Sequence, residues 1–127
     1  MSRAALSAFV WGVYLIIAGL GLLLVPNFVL PLLGFATTAE GWVRVLGLLA
    51  SILGMYYVFS ARWNIVPFFQ LTVAGRLAFM AGCIGLVISG LMSPSLLIFG
   101  VLDTIGAIWT WLSLRGMTEA SNSVARA

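Results

Sequence analysis

Arg44, Arg76 and Asp103 are charged side chains set inside runs of apolar residues. An ionised group in such surroundings loses its hydration at a cost of several kcal/mol unless a counter-charge or hydrogen bonds replace the lost water. A guanidinium so placed offers a planar fork of N–H donors that fits a carboxylate or another two-oxygen acceptor. A carboxylate there can neutralise it, or take up and release a proton. Two arginines against one acid leave a positive charge over, which asks for an anion, a polar acceptor or water. Tyr56, Tyr57, Gln70, Thr72, Trp109 and Thr110 supply a second polar and aromatic layer at a similar distance from one end of the apolar runs. Aromatic walls with a few hydrogen-bonding groups suit a flat or amphipathic ligand. Tyr56 and Tyr57, about 100° apart on a helix, cannot both face an interior.

Other chemistries lack their parts. The chain has no His and one cysteine, Cys83, and its three acids are Glu40, Asp103 and Glu119. No metal site is expected, and no haem, zinc or di-iron centre built from this chain alone. Apart from Asp103 there is no candidate general base and no activated nucleophile, so no catalytic residue is assigned. The net charge of +3 comes from scattered arginines without a basic patch, which argues against nucleic acid as a partner.

The elements that must position these residues follow from hydrophobicity. Of 127 residues, 63% are hydrophobic and 7% charged, more apolar surface than one small soluble core can hide. The fold class expected is all-α, an integral membrane four-helix bundle over residues 1–115. Its spans run from about 5–25, 41–61, 66–91 and 94–114, each near the 20 residues that a layer of about 30 Å requires. Pro26 closes the first span, and Pro67 and Pro94 open the third and fourth, where a missing N–H is tolerated. The segment 27–39 reads as an irregular hairpin or short surface helix, and 116–127 as a flexible polar tail.

Orientation follows from the arginines. With the N-terminus inside, Arg3, Arg62, Arg115 and Arg126 all fall on the cytoplasmic side and the opposite loops carry no base. The localisation expected is therefore a bacterial inner membrane, multi-pass, with both termini cytoplasmic. At helical rise Arg44 lies roughly 5 Å below the outer boundary, Asp103 about 13 Å below it, and Arg76 about 15 Å from the inner one. Arg76 and Asp103 thus share a level and are expected to pair, with Arg44 reaching down toward them. The plain alternative is that the pair fixes helix register and that Arg44 reaches for outer headgroups.

Small residues recur at three- and four-residue steps beside these charges: Gly47, Ser51 and Gly54 in the second span, Gly75, Ala78, Gly82, Gly85 and Ser89 in the third, Gly100 and Ala107 in the fourth. Such stripes let helices approach closely. Stripes on several helices, in a four-helix bundle with limited interior to use them, suggest a homo-oligomer or a place in a larger membrane complex, with membrane lipid as the other partner.

The chain resembles the DoxX-like group of bacterial four-helix membrane proteins. The likeness rests on Pro26, Trp42-Val43-Arg44, Gly54-Met55-Tyr56-Tyr57, Gly75-Arg76 and Phe99-Gly100-Val101-Leu102-Asp103, and covers most of residues 5–115. It implies a four-helix membrane fold; some members of the group are associated with membrane redox complexes, and the resemblance implies no residue-level catalytic assignment. The function expected is binding of a hydrophobic ligand with a polar or anionic head, such as a quinone, lipid or fatty acid, or service as an accessory subunit. The alternative is a small proton-coupled transporter using Asp103 and Arg76.

Overall fold

A computed structural model describes residues 1–126. The described chain is helical, in the order α1 (Arg3–Leu24), α2 (Pro26–Leu32), α3 (Trp42–Arg62), α4 (Val66–Ile88) and α5 (Leu96–Arg126). All but α2 are long and apolar enough to cross a membrane. Ser2 opens α1, its hydroxyl accepting from the Ala5 amide at 3.1 Å, which satisfies one of the donors a helix start leaves free. Val25 ends α1, and Pro26 occupies the first turn of α2, so the segment after the first span begins as a short helix followed by a turn. Gly34 and Gly90 take positive φ, 83° and 76°, where the chain turns after α2 and after α4.

Two antiparallel pairs make up the packing: α1 with α3, and α4 with α5, joined because α1 also touches α5 and α4. The first seam is backbone against backbone. A Cβ added at Gly12 would stand 2.8 Å from the Gly54 carbonyl oxygen, and one at Gly19 would stand 2.6 Å from that of Gly47. The second seam interleaves Gly100 with Met80 and Cys83, and Gly106 with Arg76. α3 and α4 meet through long side chains, Tyr57 lying edge-on to Phe68 with ring centroids 5.2 Å apart. The buried centre gathers at the N-terminal end of α1: Ala4, Ala5, Ala8, Tyr57, Ala61 and Phe69. Much apolar surface stays outside, including Leu49, Leu71, Ile88 and Ile105.

Two expectations change. The last helix does not stop at 114, just before the polar tail expected over 116–127; it continues to Arg126. Leu114 and Met117 pack on the core cluster and hold the helix in register past that point. Thr118 then bonds the Leu114 carbonyl at 3.2 Å, and Arg115 faces Glu119 one turn on. Residue 127 lies outside the described residues. The small stripe of α4, by contrast, does not serve the bundle: Gly75, Ala78, Gly82, Gly85 and Ser89 are all exposed, and a Cβ at any of those three glycines would meet nothing within 4 Å.

Candidate functional site

Phe69, Thr72, Arg76 and Cys83 are the buried residues of α4, spaced at steps of three, four and seven that fall on one helical face. That face turns Arg76 inward, where only 4% of it is exposed. Its guanidinium carbon lies 4.6 Å from the centroid of the Trp11 ring on α1 and 5.1 Å from that of Tyr57 on α3. Gly106 on α5 forms the remaining wall, since a Cβ there would come within 2.8 Å of Nη1. All four long helices therefore contribute to the bed of this one side chain. The aromatic faces favour the cation by about 2 kcal/mol once water is excluded. Nε donates to the Tyr57 hydroxyl at 3.4 Å, a long and weak bond. Nη1 and Nη2 are buried without any hydrogen-bond partner, which leaves four N–H donors on the terminal nitrogens unused.

Asp103 lies half-buried on α5, about one turn from Gly106. It falls between Gly100, which packs on Met80 and Cys83 of α4, and Gly106, which packs on Arg76 and on Trp11 of α1, and so lies along the same junction. The two charges are not in ion-pair contact, however, and the one salt bridge among the described residues is Arg115–Glu119 at 3.9 Å. The expected Arg76–Asp103 pair is thus a pair of neighbours. The rings of Trp11 and Tyr57 hold the guanidinium a turn away, at the level of Gly106.

Arg44 does not join them. It is exposed at the start of α3, and its Nη1 donates to the carbonyls of Leu23 and, at 3.3 Å, Leu24, closing the C-terminus of α1. Trp11, beside Arg76, lies twelve residues earlier on α1, roughly 18 Å away at helical rise, beyond the reach of an arginine. The expected three-residue clasp therefore separates, because free backbone carbonyls at a helix end attract the cation more closely than a distant carboxylate does.

The second layer divides as well. Tyr57, Thr72 and Thr110 are buried, whereas Tyr56 is 58% and Trp109 41% exposed. The Thr72 hydroxyl donates to the Phe69 carbonyl at 2.8 Å and that of Thr110 to Gly106 at 3.0 Å, so both back-bond their own helices. Thr110 also meets the buried Ser7 hydroxyl at 2.9 Å, a polar clip between α1 and α5. Gln70 lines a cleft of about 490 Å³ between α4 and α5 with Val73, Trp111 and Arg115. Trp109 lines a separate one beside Arg3. Trp11, Gly106 and Tyr14 were not singled out in the sequence. Trp11 carried a signal, as an aromatic residue deep in the first span at the level of the charges. Comparison with known proteins finds no matching family, no similar curated protein and no similar solved structure.

Proposed function

We propose that this chain is a small integral membrane protein that holds a hydrophobic ligand by its polar or anionic head at Arg76, with Asp103 beside it. The observation that carries the reading is the pair of buried, unpartnered terminal nitrogens of Arg76. A cation stripped of water and left with unused donors is costly in any protein interior, and in lipid such a residue belongs to a ligand or ion path more often than to packing. The exposed leucines and isoleucines on all four long helices support a lipid setting, since no soluble surface of this size presents so much apolar area. The distribution of arginines supports an inner membrane with both termini cytoplasmic. The ligand class is a quinone, lipid or fatty acid, in a protein that acts alone as an oligomer or as an accessory subunit, in keeping with its resemblance to the DoxX-like group.

Native mass spectrometry of protein extracted in mild detergent tests this. The expected result is an added mass that Arg76→Gln loses while Arg44→Gln keeps it; the bare chain mass in every preparation would reject the reading. A second reading, a small proton-coupled transporter, draws on one feature: Asp103 is next to Arg76 yet not locked to it. Its test is flux into vesicles that follows an imposed pH gradient and stops in Asp103→Asn.

A further inference from the structure

The shape of the Arg76 bed narrows the ligand. The rings of Trp11 and Tyr57 lie against the guanidinium, their centroids 4.6 and 5.1 Å from its central carbon. Nε is turned to the Tyr57 hydroxyl, so what remains is the in-plane edge made by Nη1 and Nη2, neither of which reaches solvent. Two parallel donors on one edge match two oxygens on one carbon, the bidentate geometry of a carboxylate. A quinone offers single, widely separated carbonyl oxygens and a ring that needs a flat wall, and the two rings here are already taken up against the cation. A compact two-oxygen head fits where a ring does not.

Charge points the same way. A buried arginine with a neutral ligand remains uncompensated, apart from Asp103 a turn away. An anionic ligand would compensate it but would face Asp103. A proton resolves the conflict. An alkyl carboxylic acid crosses lipid in its neutral form, and at the junction its proton passes to the Asp103 carboxylate as its own carboxylate forms the two hydrogen bonds with Arg76. One O–H bond breaks on the ligand, one forms on Asp103, and the summed charge of the site is zero before and after. The cleft between α4 and α5 reaches Val73, one turn from Arg76 on the same helix, so this seam is the natural line along which the head enters.

We propose that the junction of α1, α3, α4 and α5 is a binding site for a long-chain alkyl carboxylate, held end-on by Nη1 and Nη2 of Arg76, with Asp103 as the acceptor of its proton. This rests on the ligand-holding reading above and names its class. The other titratable groups facing the site are Tyr14 from α1, Tyr57 from α3 and Cys83 from α4.

The test uses the full chain in nanodiscs with three probes: palmitate, methyl palmitate, which keeps the chain and loses the acid, and decylubiquinone. Palmitate is expected to bind at one per chain, methyl palmitate and decylubiquinone not measurably. Arg76→Gln should weaken palmitate by about tenfold or more, the loss of a charged two-bond contact. Because that variant strands Asp103 and could unfold, Gly106→Ala serves beside it: the added methyl would stand 2.8 Å from Nη1 and shift the donor edge while keeping both charges. It should also weaken palmitate. The proton step has its own readout. Palmitate in water is an anion, so its binding to the parent protein takes up one proton and weakens about tenfold per pH unit above neutrality; Asp103→Asn should flatten that slope. Decylubiquinone or methyl palmitate binding through Arg76 in place of palmitate would overturn the carboxylate assignment and leave the broader ligand reading standing. Palmitate binding indifferent to Arg76→Gln and Gly106→Ala, or no binding of any probe, would overturn both.

Discussion

Arg76 is held by rings, and that decides what its neighbours are worth. Removing the hydroxyl in Tyr57→Phe deletes the 3.4 Å bond from Nε but keeps the ring over the cation, so the loss should stay under about 1 kcal/mol. Trp11→Ala takes away the other ring, packed at 4.6 Å, together with its contacts on the core, and should cost about 3 kcal/mol or more. Thermal melts of the two variants in one detergent check the order, and equal losses would mean that the rings do not carry the cation. Arg44 belongs to a different task. It bonds the carbonyls of Leu23 and Leu24, so Arg44→Gln should lower stability by about 1 kcal/mol, the value of a charged helix-end contact, and leave ligand retention unchanged. Spacing and hydrophobicity single out Arg76 because a charge in an apolar run is visible in any sequence. What binds it is not visible, because ring faces and backbone carbonyls leave no charge pattern, and which helix lies beside which is set by packing.

Among the elements, the glycines of α1 and α3 have work that those of α4 do not. Gly19→Ala drives a methyl to 2.6 Å from the Gly47 carbonyl oxygen and must part the two helices, at about 1 to 3 kcal/mol. Gly82→Ala meets nothing within 4 Å in a single chain and should be neutral, or slightly stabilising through helix propensity. Melting temperatures of the pair give the comparison. The element boundaries were legible where proline or hydrophobic length marks them, as at Pro26 and at the start of α4. They were not legible at residue 114, where a polar stretch looks like the end of a helix although Met117, packed on the core, carries it on. The small stripe of α4 was equally plain in the sequence. Its exposure was not, since a three- and four-residue repeat says that one face is smooth and not which neighbour, if any, lies against it.

For the whole molecule, the placement in a membrane proposed above makes a simple prediction. Reporter fusions after Arg126 and within the loop at Thr38 should report opposite compartments, the first cytoplasmic; activity of the Arg126 fusion outside the cell would reverse the orientation. That placement also gives meaning to the length of α5. Its 31 residues extend about 46 Å at helical rise, against a hydrocarbon layer of about 30 Å. Roughly three turns are then left to stand in water as a stiff post, continuous with the helix that carries Asp103 and Gly106. A continuous helix does not absorb a tilt at one end; it passes it along its axis. Force or docking applied to the post would therefore arrive at the Arg76 bed as a rotation of its fourth wall, making the C-terminal end of α5 a mechanical handle on that interior.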